Sequence, residues 1–191
     1  MDAISFLAAW LRNPGGIGAV APSSPALARA MVAGIRMEEG DCVIEFGPGT
    51  GPFTQEILAM LPDRKAYLGI DRESRFVTLL RDRFSDARFV EGSAAEAPRF
   101  RREAGLGPVR AIICGLPFAS LPPAVQDGVI DAIDTLMAPG TEFRTFQYVN
   151  AYPLPRAIRY RRRMSALFGP PQCIGPIWRN LPPAFVLRWA R

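Results

Sequence analysis

Apolar and polar positions follow two periods along this chain, and from residue 41 onward the two periods take turns. Short apolar runs at 42–46, 67–71, 87–91, 111–114 and 142–149 predict strands. Residues 52–61, 73–84 and 121–137 repeat apolar positions at helical spacing. Strands and helices that alternate through short connections predict an α/β fold, a parallel sheet covered on both faces. Ligands of such sheets bind beyond the carboxyl ends of the strands, near the first βα loop.

The flanks read differently. A helix over residues 2–12 puts Asp2, Ser5, Ala9 and Arg12 on one side and Ile4, Phe6, Leu7, Trp10 and Leu11 on the other. Asn13-Pro14-Gly15-Gly16 stops it. Such a helix either packs on its own domain or lies in a membrane interface with its aromatic rings among the headgroups. A second helix is predicted over 25–35, capped by Ser23 or Ser24, with Leu27, Met31 and Ile35 inward. The stretch 99–107 mixes arginine with glutamate and reads as a solvated loop or short helix. From residue 153 a helical face of Ala157, Tyr160, Met164, Leu167 and Phe168 is flanked by Arg156, Arg159 and Arg163, and Gly169-Pro170-Pro171 ends it. Two last apolar runs, 173–178 and 184–189, are joined by Arg179-Asn180-Leu181-Pro182-Pro183. The predicted organisation is an amphipathic helix and linker over 1–24, serving as membrane contact and lid, and one domain over 25–191.

The sharpest pattern is the turn after the first strand. Glu45-Phe46-Gly47-Pro48-Gly49-Thr50-Gly51-Pro52 sets an acid at the strand's end and three alternating glycines in the loop. Its proline stands at the first helical position, where a missing N–H costs nothing. Glycines let the loop backbone approach a ligand closely. The dinucleotide spacing G-x-G-x-x-G fits poorly, because Pro52 occupies the last position. The second strand ends in Asp71, twenty positions after Gly51, where an acid in a nucleotide-binding α/β fold faces ribose hydroxyls. The loop resembles the E/D-x-G-x-G-x-G loop of class I methyltransferases, which bind S-adenosylmethionine (SAM). The two last apolar runs resemble the antiparallel hairpin that closes such sheets. The resemblance implies a class I methyltransferase (Rossmann-like) fold: a mostly parallel seven-stranded sheet with helices on both faces and an antiparallel C-terminal hairpin.

Composition narrows the setting. A net charge of +5, carried almost wholly by arginine, suits a nucleic acid or an anionic membrane surface without choosing between them. Cys42, Cys114 and Cys173 are far apart and lack zinc spacing, which predicts reduced core thiols and no metal. No apolar stretch is long enough to span a bilayer. The chain has no histidine, so the commonest general base is missing.

The resemblance continues along the chain. Glu91-Gly92-Ser93-Ala94 follows the third strand, where the adenine ring of such cofactors meets main chain and one polar side chain. Gly115-Leu116-Pro117-Phe118 resembles the N/D-x-P-Y/F loop of amine and adenine N-methyltransferases, whose carbonyls and ring hold the amino group; here Gly115 replaces the usual Asn or Asp. Phe6-Leu7, Trp10-Leu11, Asn13-Pro14, Ile17-Gly18-Ala19-Val20-Ala21-Pro22-Ser23-Ser24, Leu27-Ala28-Arg29 and Gln147-Tyr148 resemble bacterial phospholipid N-methyltransferases. That resemblance spans nearly the full length. It implies stepwise methylation of phosphatidylethanolamine to phosphatidylcholine by a cytoplasmic monomer, peripheral on the inner face of the cytoplasmic membrane. Its partners would be the phospholipid substrate and the anionic surface, with no nucleic acid and no metal. The SAM site, which releases S-adenosylhomocysteine, would comprise Ser23, Ser24, Glu45, Gly47, Gly49, Gly51, Asp71, Arg72, Gly92, Ser93, Ala94 and Gly115. Gly115, Leu116, Phe118 and Tyr148 would hold the amine. Arg156 and Arg179 are candidates for the lipid phosphate, which a guanidinium grips bidentately. The competing expectation is an enzyme like the rRNA adenine N6-dimethyltransferases, which Gly115 and the modest charge disfavour. A SAM- or nucleotide-binding module without catalysis is the third.

Overall fold

The runs Cys42–Phe46 (β1) and Tyr67–Asp71 (β2) are buried at every position, as strands covered by helices on both faces must be. They are interior strands of a seven-stranded sheet in a computed structural model that describes residues 23–118 and 121–191. The other strands are β3 (Arg88–Glu91), β4 (Val109–Cys114), β5 (Glu142–Tyr148), β6 (Gln172–Ile177) and β7 (Ala184–Ala190). The order across the sheet is β3-β2-β1-β4-β5-β7-β6. The first five strands run parallel, and β7 runs antiparallel between β5 and β6. Six α-helices accompany them among the described residues: α1 (Pro25–Val32), α2 (Pro52–Met60), α3 (Ser74–Arg83), α4 (Ala97–Glu103), α5 (Pro123–Leu136) and α6 (Pro155–Phe168). This is the expected class I methyltransferase architecture, closing hairpin included.

Alternation along the strands feeds two cores. Ile44, Leu68, Ile112 and Phe143 meet Phe100, Ile130, Tyr160 and Met164 from α4, α5 and α6. Val43, Tyr67, Ile113 and Val186 meet Leu27, Met31, Phe53, Ile57 and Leu80 from α1, α2 and α3.

Most boundaries fall where the periodicity puts them, and the exceptions have local causes. α1 stops at Val32 because the chain turns at Ala33 and Gly34, and Arg144 from β5 donates to the carbonyls of Met31 (3.2 Å) and Ala33 (2.7 Å). α5 opens at Pro123, since a residue before proline is pushed out of the helical region. The arginine-glutamate stretch joins a short helix, α4, tied by Arg99 to Glu96 and Glu103. Cys42 and Cys114 are buried, and burial pushes their thiols up to about 11 and about 12. Cys173 departs from the core expectation: it is exposed, because β6 is an edge strand. The predicted helix over 2–12 lies outside the described residues.

Candidate active site

Parallel pairing delivers the carboxyl ends of β1 to β5 to one edge, and main-chain hydrogen bonds join the loops there into a rim. Gly115 N–H donates to Phe46 O (2.8 Å), Gly47 N–H to Ile70 O (2.9 Å), and Gly92 N–H to Asp71 O (2.9 Å). Each loop that the sequence singles out therefore begins in contact with the next.

The glycine loop follows from this crowding. Gly47, Gly49 and Gly51 all have positive φ (66°, 57° and 86°). A Cβ on Gly47 would strike the Leu116 side chain at 2.5 Å, whereas one on Gly49 would meet nothing within 4 Å. The ground above Gly49 is open. The same crowding explains Gly115, where a Cβ would lie 2.7 Å from the Gly47 carbonyl oxygen. An Asn or Asp has no room there while the two loops touch.

Two acids underlie the loop. Asp71 is 8% exposed and accepts from Gly49 N–H at Oδ2 and from Glu73 N–H at Oδ1, each at 3.0 Å. Burial raises its carboxyl above the ordinary range against main-chain hydrogen bonds from Glu73, Gly49 and Arg72. An ionised carboxylate has about four acceptor sites, so two remain for a diol. Glu45 is fully buried and accepts at Oε2 from Thr54 (2.7 Å) and Tyr67 (2.6 Å). Its Oε1 is buried with no partner among the described residues. Burial outweighs both hydrogen bonds and pushes the carboxyl up to about 7.

The sheet's far half closes the edge. Phe53, Phe146 and Tyr148 form a chain of edge-to-face rings, with centroids 5.7 and 5.3 Å apart. Tyr148 is half-buried at the end of β5, and burial pushes its phenol up to about 12. Ser24 caps α1 through Leu27 N–H (3.2 Å), and its own N–H donates to Asn180 Oδ1 (2.9 Å). The Ser23–Ser24 turn is thereby fastened to the β6–β7 hairpin at the same edge.

Other predicted residues are placed less directly. Ser93 caps the turn Ala94–Glu96, its hydroxyl accepting from Ala95 N–H at 3.3 Å. Arg72, Arg156 and Arg179 are exposed. Phe118 is 4% exposed and stacked on Tyr160 with centroids 4.5 Å apart. Its ring belongs to the core under the loop, where the resemblance led us to expect it at the amine. Gln126 holds this segment from below, donating to the carbonyls of Phe118 (2.8 Å) and Leu121 (2.9 Å). Thr54, Tyr67, Gln126 and Asn180 are the positions that sequence reasoning missed. Thr54 alone left a trace, a polar residue on the apolar face of a helix.

The residues present fit the chemistry of SAM. Open space over Gly49, spare acceptors on Asp71 and an orphaned buried oxygen on Glu45 offer places for backbone contact, ribose and a cationic end. Among the described residues, no group of three or more His, Cys, Asp or Glu could hold a metal ion.

No family model matches the chain. It is 31% identical over 189 residues to an ornithine lipid N-methyltransferase of Singulisphaera acidiphila, covering 96% of this chain and 93% of that protein. A ribosomal RNA small subunit methyltransferase A of Synechococcus is 33% identical over 91 residues, 46% of this chain and 32% of that one. An rRNA methylase from Streptococcus thermophilus superposes with a TM-score of 0.62 at 13% identity, over 91% of this chain and 99% of its own. The O-methyltransferase from Bacillus cereus, solved with S-adenosylhomocysteine, does so at 0.62 and 12%, over 100% and 92%. At such identities the likeness speaks for the fold.

Proposed function

This chain belongs to the lipid N-methyltransferase family of class I methyltransferases, with SAM as its cofactor, and from that premise we propose that it methylates phosphatidylethanolamine, with its mono- and dimethyl forms, toward phosphatidylcholine. The observation that carries the phospholipid reading is a set of arginines without ion-pair partners. Arg156, Arg159, Arg162 and Arg179 are exposed, with no ion-pair partner among the described residues. Guanidinium is suited to a phosphodiester, which it can grip bidentately. The second reading is ornithine lipid, the substrate in the relative's name; an ornithine headgroup offers an amine without a phosphate. An rRNA substrate is the weaker reading, since that relative matches less than half of this chain.

In the proposed site the Gly47–Gly49–Gly51 loop carries the cofactor's backbone contacts, Asp71 the ribose, and Gly92, Ser93 and Ala94 the adenine, with Arg72 at its rim. The Ser23–Ser24 turn lies toward the methionine end, and Glu45 favours its cation. When bound, SAM would supply an electrophilic sulfonium methyl for the amine, with S-adenosylhomocysteine as the leaving product. The headgroup amine arrives protonated. Withdrawal from water at the edge lowers its pKa, and the proton leaves to solvent. Carbonyls of Gly115 and Leu116 and the Tyr148 oxygen accept from the amine and aim its lone pair. The phenol stays protonated at neutral pH, so orientation rather than a side-chain base gives most of the acceleration. Arg156 and Arg179 hold the phosphate.

No helix among the described residues is long and apolar enough to cross a membrane. We place the enzyme as a peripheral monomer on the cytoplasmic face, with residues 1–24 as membrane contact and lid. Expression in a bacterium that lacks phosphatidylcholine, followed by thin-layer analysis of its lipids, tests this function. New methylated phosphatidylethanolamines are expected, and methylated ornithine lipid alone would overturn the phospholipid reading.

A further inference from the structure

The connection between β6 and β7 is built inside out for a loop in water. Its one uncharged polar residue, Asn180, is 3% exposed, held by Ser24 N–H (2.9 Å) and donating to Pro182 O (2.7 Å). Its large apolar residues face outward, Trp178 at 73% exposure and Leu181 at 84%. Leu154, just before α6, follows at 51%. Scattered exposed leucines need no explanation, but a fastened tip that presents tryptophan and leucine while hiding its amide marks an interaction surface.

The location gives the tip a purpose. Val149 N–H donates to Pro183 O (2.8 Å), and Tyr148 pairs with Ala184. The tip therefore stands at the carboxyl edge, beside Tyr148 and the Ser24 turn. Tyr152, from the turn that leads to Leu154, packs on Phe185 with centroids 4.9 Å apart, which brings the start of α6 to the same end.

Charge decides what the surface meets. Residues 143–191 contain nine arginines and no acid, while all eighteen acids and the other fourteen basic residues precede them. Five of the nine are engaged: Arg144 and Arg188 on Glu142, Arg163 on Asp127, Arg191 on Asp134, and Arg161 on Gln147 and the Tyr152 ring. Arg179 lies between Trp178 and Leu181, and Arg156 opens α6 behind Leu154. Apolar tips with tryptophan, beside Arg156 and Arg179, which have no ion-pair partner among the described residues, fit the headgroup boundary of an anionic bilayer, where indole rings and basic side chains are each favoured.

We propose that Trp178 and Leu181 are a membrane-interface anchor, inserted at the headgroup–acyl boundary with Arg156 and Arg179 at the level of the lipid phosphates. The anchor turns the edge that holds the glycine loop and Tyr148 toward the bilayer. It rests on the reading of a membrane lipid as substrate and gives that reading a surface separate from residues 2–12.

The test uses the full chain with Trp10→Phe, which leaves Trp178 and the 1%-exposed Trp189 as its tryptophans. Vesicles of phosphatidylethanolamine and phosphatidylglycerol carrying brominated acyl chains are expected to blue-shift and quench Trp178. Trp178→Ser/Leu181→Ser is expected to weaken flotation at least about tenfold, with S-adenosylhomocysteine affinity and methylation of detergent-dispersed lipid retained. Equal flotation of this variant would overturn the anchor. So would flotation with Trp178 unquenched, or a dimer that the variant dissolves without any change in flotation. If the variant loses its cofactor affinity, quenching of the native tip decides. Quenching by a protein that methylates no lipid in any dispersion would sink the proposed function and leave the anchor standing.

Discussion

Replacing Glu45 by glutamine isolates the buried charge beneath the glycine loop. The carboxyl is fully buried and stands at about 7 against an ordinary 4.5, because burial outweighs the hydrogen bonds from Tyr67 and Thr54. The folded chain thus holds this proton more tightly than the unfolded chain. The group's stabilisation is complete below about pH 4.5, declines as pH rises, and is gone above about 7. At ~1.4 kcal/mol for each pH unit between those values the loss is about 3 kcal/mol, out of a total stability of roughly 5–15 kcal/mol for a domain. Glutamine keeps the shape and the acceptor for Thr54 and Tyr67 but cannot ionise. In urea unfolding without cofactor at pH 5 and pH 8, wild type should lose about 2.5 kcal/mol more across that interval than Glu45→Gln. At pH 8 the variant should also bind S-adenosylhomocysteine about tenfold more weakly, having lost the charge that favours the cofactor's cationic end. The same pH dependence in both proteins would refute the buried-charge reasoning.

Asp71→Ala removes charge-assisted hydrogen bonds worth roughly 1.5–3 kcal/mol, so calorimetry should find S-adenosylhomocysteine affinity down about ten- to a hundredfold; unchanged affinity in a folded variant removes the ribose assignment. Tyr148→Phe should cost less than about tenfold in turnover, because a phenol pushed up to about 12 is not a base at neutral pH. A loss as deep as that of the cofactor site would make the phenol a true base. Gly115→Asn, which restores the commoner residue of N/D-x-P-Y/F loops, should lower activity and the thermal midpoint. Its Cβ would press on the Gly47 carbonyl at 2.7 Å, an overpacking that costs roughly 1–3 kcal/mol; higher activity would show that the two loops part in solution.

Much of the fold was legible because its signals are local. β1 and β2 begin and end where their apolar runs do, and Pro52 opens α2 as a proline after a turn should. Gly47, Gly49 and Gly51 were legible too, each with a backbone that other residues rarely adopt. What the sequence hid is pairing between distant segments. Asn180 meets Ser24 across 156 positions, and Tyr67 meets Glu45 across 22. Neither partner carries a local mark of the other. Phe118 shows the converse error: a motif on a loop fixed the turn, but packing on Tyr160 decided where the ring went. Arg163 shows it for charge, since helical spacing put it beside Arg156 and Arg159 while Asp127 and Asp131 on α5 neutralise it.

The central claim is that the amine at this edge belongs to a phospholipid. Purified full-length protein with methyl-labelled SAM, offered phosphatidylethanolamine, ornithine lipid and structured RNA in parallel, tests it most directly. Label is predicted in methylated phosphatidylethanolamine, with none in RNA. Label confined to ornithine lipid, or appearing in RNA, would contradict the account.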